Sequence, residues 1–232
     1  WEKDMMKKSI QKAGYLIILL IGFGLCIVPQ FGLILQLKVK NELIQYLSFL
    51  LTVILYILAI WLIWKLLKKI TGAPISKRQS GAFVRKYLAG LSILLFSEYI
   101  LGILNFLING ENQTVNNTAI TKLFFQQNSV KLTMILMVVI FAPICEELFF
   151  RALLINTIKL KFFNFNWLAI LISGILFGLL HASDTILSAL MYVTMGIILG
   201  VIYVKYDNIK LNIAIHATNN LIALIPILLV IW

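Results

Sequence analysis

The sequence predicts an all-α, polytopic membrane protein, with about seven to eight transmembrane helices that enclose a polar site within the membrane. Of its 232 residues, 61% are hydrophobic, and the mean hydropathy is +0.98, well above the range of soluble domains. The apolar residues form long runs, and about 20 of them suffice to cross a bilayer as a helix. These runs extend along the whole chain, which indicates a single transmembrane domain over residues 1–232.

Seven apolar segments satisfy this length criterion. They are Gly14–Leu37, Leu43–Leu66, Tyr87–Ile108, Val130–Leu154, Trp167–Ala182, Ile186–Val204 and Leu211–Ile231. Pro29 lies in the first segment, which we therefore expect to be kinked or to continue as an interfacial piece, because proline interrupts the hydrogen-bond ladder of a helix.

The charge distribution predicts how these segments are oriented. The formal net charge is +11, from 20 basic and 9 acidic residues, and an excess of Lys and Arg marks cytoplasmic loops. Basic residues occur in the amino-terminal tail and in every second connection, among them Lys68, Lys77, Arg78, Lys159 and Lys205. We therefore expect a multi-pass protein of the cell membrane, in contact with lipid, whose amino terminus and basic loops are cytoplasmic. The sequence has no basic stripe with interleaved aromatic residues, so we expect no nucleic-acid binding.

Two adjacent glutamates interrupt the fourth apolar segment. A charged side chain near the bilayer centre costs at least ~2.5–3.5 kcal/mol, so such residues usually mark a functional site. Glu147 and Arg151 are four residues apart and share a helix face, which favours an ion pair. Glu146 is rotated by about 100° from Glu147 and does not share this geometry. The sequence therefore predicts a paired, supporting Glu147 and a free Glu146 that can act as a general base.

Both histidines of the chain also lie in apolar segments. His181 ends the run that begins at Phe177. His216 and Asn220 are four residues apart and face the same way on the last segment, with Asn219 as a less favoured alternative. Two histidines and two glutamates in such positions indicate a site rather than packing alone.

The residues by themselves leave three chemistries open. Two histidines and a carboxylate match a zinc-hydrolase ligand set, with Glu146, His181 and His216 as the ligands. In metal-free hydrolysis, Glu146 and His181 would activate water while His216 and Asn220 stabilise the oxyanion. A proton or ion relay in an ion-coupled transporter also uses glutamate and histidine within spans, although no duplicated hydropathy pattern supports it.

Three further residues inside apolar segments need an explanation. Glu98 lies midway along the third segment, where it could face the cavity or pair with a basic side chain elsewhere in the bundle. Cys26 and Cys145 are interpreted as buried small hydrophobic residues, because neither a CxxC motif nor a Cys/His cluster is present.

Four short motifs resemble those of the CPBP family of intramembrane proteases, which includes the CAAX prenyl endopeptidases and the bacteriocin-processing and immunity proteins of the Abi type. Glu146-Glu-Leu-Phe-Phe-Arg151 matches the family's EExxxR motif, and Phe177-Gly-Leu-Leu-His181 its FxxxH motif. Tyr192-Val-Thr-Met-Gly196 resembles a weaker aromatic-xxx-Gly motif, and His216-Ala-Thr-Asn-Asn220 matches HxxxN. The motifs occur in the family's order in the carboxy-terminal half, which predicts a catalytic core at about residues 130–232.

The resemblance implies an intramembrane endopeptidase, a CAAX-protease-like peptide hydrolase. Transferred motif by motif, Glu146 and His181 would activate water, His216 and Asn220 would form the oxyanion site, and Glu147 and Arg151 would hold the constellation. A metal-free mechanism is favoured, with zinc as the alternative cofactor. The substrate would be a membrane-associated peptide or protein, such as a bacteriocin, a pheromone or a lipidated peptide. The competing function is that of a non-catalytic membrane scaffold or bacteriocin immunity protein.

One geometric difficulty follows from the segment boundaries. Glu146 lies past the middle of its segment towards the cytoplasm, and His216 lies near the cytoplasmic start of the last one. His181 lies near the opposite end of the fifth segment. The three side chains can meet only if the fifth helix starts late, tilts or is partly re-entrant.

Overall fold

The computed structural model describes residues 2–72, 82–110, 114–126, 128–181 and 183–231, and the regular structure in these ranges is helical. Lys77, Arg78 and Ala182, which the sequence analysis used, lie outside them. The α-helices are α1 (Glu2–Ile27), α2 (Gln30–Lys38), α3 (Glu42–Thr71), α4 (Phe83–Asn109), α5 (Val115–Gln126), α6 (Asn128–Leu136), α7 (Ala142–Glu146), α8 (Asn166–Leu179), α9 (Ile186–Tyr206) and α10 (Ile209–Ile231).

Six helical stretches of the described chain are long and apolar enough to cross a membrane, so the predicted polytopic helical fold is confirmed. They match six of the seven predicted segments. The fifth segment forms α8, which has 14 residues. At 1.5 Å per residue, α8 is about 21 Å long, whereas the hydrocarbon layer is about 30 Å thick. Helix α8 is therefore too short to reach the opposite side of the hydrocarbon layer. His181, just after its end, need not lie at the opposite side from Glu146 and His216, which resolves the geometric difficulty.

Two other expectations are refined by the structure. The first segment is divided at Pro29 into α1 and α2, because proline cannot continue the hydrogen-bond ladder. The stretch between the third and fourth predicted segments, to which no helix was assigned, contains helix α5. Its residues Asn116 and Ile120, together with Thr114 just before the helix, line the central cavity, so α5 forms part of the cavity wall.

The fourth span is a continuous helix over residues 128–162, here called the motif helix, in which α-helical and π-helical turns alternate. The π-helical turns are Met137–Phe141, Glu147–Ile155 and Ile158–Phe162. Such wider turns are rare and often mark functional sites. Every residue of Glu147–Ile155 is buried. From Glu147 onwards, the glutamate motif thus lies on a fully buried part of the motif helix, surrounded by α1, α3, α8, α9 and α10.

Helices α8 and α9 pack with their backbones in close approach, and this contact positions His181. A Cβ atom at Gly178 would lie 2.8 Å from the backbone nitrogen of Val193, and a Cβ atom at Gly174 would lie 2.9 Å from that of Ile197. Gly196, from the aromatic-xxx-Gly motif, lies against Gly174. Small residues four apart allow such close helix packing in membranes.

The two cysteines meet where α1 contacts the motif helix. Their Sγ atoms are 3.6 Å apart, and both are free thiols, with Cys145 buried and Cys26 half-buried. They serve here as small packing residues directly beside Glu146.

Candidate active site

Glu147 is the centre of a buried polar cluster that joins the motif helix to α10. Its Oε2 atom lies 3.3 Å from Arg151 Nε and 3.2 Å from Asn212 Nδ2. Its Oε1 atom lies 3.0 Å from His216 Nδ1. The Glu147 and Arg151 side chains are 0% exposed, so three polar partners compensate for the loss of water around one carboxylate.

Arg151 completes this cluster through aromatic contacts. Its guanidinium carbon lies 4.7 Å from the centre of the Phe177 ring and 5.6 Å from that of Phe150. The guanidinium nitrogens have no hydrogen-bond partner among the described residues. Cation–π attraction within about 6 Å therefore supplies the remaining stabilisation of the charge, and it gives the phenylalanine of the FxxxH motif a physical role.

Glu146 differs from its neighbour, because its side chain is 24% exposed and lines the cavity. Its Oε2 atom lies 3.7 Å from His216 Nε2, beyond the length of a direct hydrogen bond. His216 thus lies between the two glutamates: Glu147 holds Nδ1, and Nε2 faces Glu146. The carboxylate of Glu146 keeps its capacity to accept a proton from water, whereas that of Glu147 is occupied.

His181 also lines the cavity, and two contacts fix its ring. Its Nδ1 atom lies 2.7 Å from the carbonyl oxygen of Phe177. Because a carbonyl only accepts, Nδ1 carries the hydrogen and, in the neutral ring, the lone pair is on Nε2. The ring stacks on Tyr192 at 4.5 Å, with 12° between the planes, and the Tyr192 hydroxyl lies 2.8 Å from Thr114 Oγ1. Tyr192, the aromatic residue of the weaker motif, therefore positions the histidine.

Asn220 compensates for a proline in the motif helix. In the wide turn, the Ala142 N–H donates to the Met137 carbonyl. The next carbonyl, that of Val138, would receive an N–H from position 143, but proline has none. The side-chain nitrogen of Asn220 instead donates to the Val138 oxygen at 2.9 Å. A carboxamide nitrogen carries two hydrogens, so a second one is available for another acceptor.

These side chains share a cavity of about 320 Å³. It brings together Glu146, His181, His216 and Asn220, the four predicted catalytic residues, while Glu147 and Arg151 lie beneath it. The cavity wall also includes Glu98 and Asn219. Asn212 was not predicted, although its spacing of four residues from His216 places it in one polar stripe with Asn220.

The predicted metal ligands do not assemble a metal centre. Among the residues that the structure describes, no group of three His, Cys, Asp or Glu side chains is placed to hold a metal ion. His216, one of the three proposed zinc ligands, directs both ring nitrogens towards glutamates. The side chains therefore do not fit a three-ligand zinc site in this arrangement.

The fold and this site define a class, that of polytopic membrane proteins with a carboxylate–histidine centre inside the bundle. Residues 128–222 match the family model of the type II CAAX prenyl endopeptidases, described as Rce1-like. The match covers less than half of the chain, and it confirms the resemblance of this region to the CPBP proteases. The matched region contains all four motifs.

Curated bacterial proteins show the same relationship. The UPF0177 protein YvdC of Lactococcus lactis subsp. lactis is 28% identical over 140 residues, 60% of this chain and 51% of its own. The UPF0177 protein YbdI of the same organism is 40% identical over 91 residues, 39% and 46% of the two chains. The protein named "Putative membrane peptidase YdiL" of Bacillus subtilis is 32% identical over 135 residues, 57% and 52%. The chain thus spans about half the length of these relatives. No solved structure is significantly similar to it.

Proposed function

We propose that this protein is an intramembrane endopeptidase that hydrolyses peptide bonds of membrane-associated peptides or proteins without a metal. The observation that carries the proposal is the difference between the adjacent glutamates. Glu147 is fully buried and bound by three partners, whereas Glu146 faces the cavity and has no hydrogen bond to the residues that the structure describes; its Oε2 atom lies 3.7 Å from His216 Nε2. A carboxylate that is free, enclosed and next to a histidine is suited to general-base catalysis.

In the proposed mechanism, a water molecule lies between Glu146 and His181. Glu146 accepts a proton from this water as its oxygen attacks the peptide carbonyl, and the lone pair of His181 Nε2 orients the second water hydrogen. His216, oriented by Glu147 through Nδ1, donates from Nε2 to the developing oxyanion when this nitrogen is protonated. The second amide hydrogen of Asn220 supports the same oxygen. The proton held by Glu146 then passes to the leaving amine.

The residues also explain how the site excludes bulk water. Glu147 and Arg151 neutralise each other beneath the cavity, and α5 closes one of its walls.

The amino-acid composition favours a bacteriocin, pheromone or other small lipid-associated peptide as the substrate class. The high Ile, Lys and Asn content is typical of AT-rich bacterial genomes, in which protein prenylation is not expected.

The test compares bacterial membranes that contain either the unmodified protein or the Glu146→Gln variant. Mass spectrometry of the released peptides should show new termini with the unmodified protein alone. Purified His181→Ala should likewise lose cleavage of the peptide so identified, by about 10²–10⁴-fold for a missing acid–base group. Glu42→Gln, on the exposed start of α3, is the matched control. Full cleavage by Glu146→Gln would contradict the mechanism. Full protection of cells against a bacteriocin by a Glu146→Gln protein that cleaves no peptide would favour the scaffold or immunity role.

A further inference from the structure

A second glutamate lines the cavity but has no role in the mechanism above. Glu98 lies in the middle of α4, and its Oε1 atom accepts a hydrogen bond from Asn219 Nδ2 at 2.9 Å. Both residues are part of the cavity wall together with Glu146. Asn219 directly precedes Asn220, so α10 presents one carboxamide to the catalytic side and the other to Glu98.

Glu98 lacks a cationic partner within the described part of the chain. The ion pairs found there involve Glu146 and Glu147, with no Lys, Arg or His nitrogen within 4.0 Å of the Glu98 carboxylate. Of the lysines and arginines that the structure describes, none lines the cavity. The question left by the sequence, whether Glu98 faces the cavity or pairs with a basic residue, is thus answered in favour of the cavity.

Asn219 adds a second unused acceptor at the same place. Its side chain is 5% exposed, and its Oδ1 atom is buried without a hydrogen-bond partner among the described residues. A buried acceptor without a donor costs about 1–3 kcal/mol, and a carboxylate without a counter-ion in a low-dielectric cavity costs more. An ammonium group has three donors and a guanidinium group has five, so either would satisfy both residues at once.

We infer that Glu98 and Asn219 form a subsite for a cationic group of the substrate peptide. The group would be a lysine or arginine side chain or a free α-amino group, bound to Glu98 Oε2 and Asn219 Oδ1 while the neighbouring peptide bond lies at Glu146. That the bound peptide is a substrate rests on the proposed function, whereas the subsite itself is tested by binding alone. It makes Glu98 a determinant of specificity rather than a catalytic residue.

The test measures peptide binding to the full chain in neutral detergent micelles, in the Glu146→Gln background so that no turnover occurs. The probes are octanoyl-capped hexaalanine amides in which one position at a time carries lysine or uncharged norleucine. A third probe has a free amino terminus and an octyl amide at its carboxyl end, and its partner is acetylated at the amino terminus. These pairs distinguish a side-chain cation from an α-amino group.

We expect at least one cationic probe to bind about tenfold more tightly than its uncharged partner. Adding Glu98→Gln, which keeps the hydrogen bond from Asn219, should remove this preference for the cationic probe. Adding Glu42→Gln should preserve it. Equal binding within every probe pair, including no binding at all, would overturn the inference, and so would a preference that survives Glu98→Gln.

Two features of this design keep the result interpretable. If Glu98→Gln does not fold, the comparison between charged and uncharged probes in the Glu146→Gln protein still decides, because equal binding there excludes a cation subsite. Failure of the proposed function has a different signature, since an unmodified protein that cleaves no peptide can still discriminate cationic from neutral probes.

Discussion

The side-chain nitrogen of Asn220 donates to the carbonyl oxygen of Val138 at 2.9 Å, and this carbonyl is free because Pro143 has no N–H to offer it. The last asparagine of the HxxxN motif thereby attaches α10 to the motif helix about two turns before Glu146. The contact connects the spacing of two distant motifs to the backbone of the active site.

A double-mutant cycle tests this relationship. Asn220→Ala should lower the free energy of unfolding by about 1–3 kcal/mol, because a buried carbonyl loses its donor. In a Pro143→Ala background, the new N–H can reach Val138, so the same Asn220→Ala change should cost clearly less. The measurement is unfolding in detergent micelles for all four proteins. Equal costs in the two backgrounds would show that the bond to Val138 is not what Asn220 contributes.

The buried ion pair gives a second stability prediction. Glu147→Gln leaves Arg151 as an uncompensated buried charge, and we expect a loss of about 3–5 kcal/mol, as for other broken buried pairs. The Glu147→Gln/Arg151→Met double variant should recover much of this loss, because it removes both charges. Glu42→Gln should change little. A double variant no more stable than the single one would contradict a charge-based explanation.

The glycine contact between α8 and α9 can be tested with a matched pair of variants. At Gly178, an added methyl group would lie 2.8 Å from a backbone atom of α9, whereas at Gly102 nothing lies within 4 Å. Gly178→Ala should therefore destabilise the protein by about 1–3 kcal/mol through overpacking and reduce cleavage by displacing His181. Gly102→Ala should be neutral or slightly stabilising, because alanine favours a helix over glycine. Thermal unfolding and peptide cleavage, measured together, separate the two effects.

Tyr192 should act on catalysis by holding the ring of His181. Tyr192→Leu removes the stacked ring, an interaction worth about 0.5–1.5 kcal/mol, so we expect kcat to fall by up to roughly tenfold with KM little changed. Tyr192→Phe keeps the ring and loses the hydroxyl contact with Thr114, and it should retain most of the activity. Kinetics on the peptide identified by mass spectrometry provide the readout. A fall in thermal stability equal in both variants, without a difference in kcat, would indicate a structural role alone.

The fold was predictable because apolar runs of sufficient length have few alternatives to membrane helices. The sequence located six spans and the helical nature of the seventh segment. It did not reveal that α8 is short or that the polar stretch before the motif helix contains α5. Hydropathy does not report helix α5, because polar residues such as Asn116 and Asn117, which line the cavity, lower its mean hydropathy. It also assigns no end to α8 within a continuous apolar run.

The candidate site was partly accessible from the sequence for a related reason. Charged side chains and histidines are rare in apolar spans, so Glu146, Glu147, Arg151, His181 and His216 stood out individually. The partners did not, because contact depends on how each helix is rotated about its axis. The sequence indicated neither the position of His216 between Glu146 and Glu147 nor the contact of Asn219 with Glu98.

The position of Arg151 one turn after Glu147 also affects how the chain enters the bilayer. The translocon exposes each helix to lipid before its neighbours arrive, and a lone charge at the helix centre then costs about 2.5–3.5 kcal/mol. Because the two opposite charges are on one helix face, they can neutralise each other inside that helix without waiting for α8 or α10. The motif helix thus carries its own counter-ion during biogenesis, and the surrounding helices are left to add the aromatic and amide contacts afterwards.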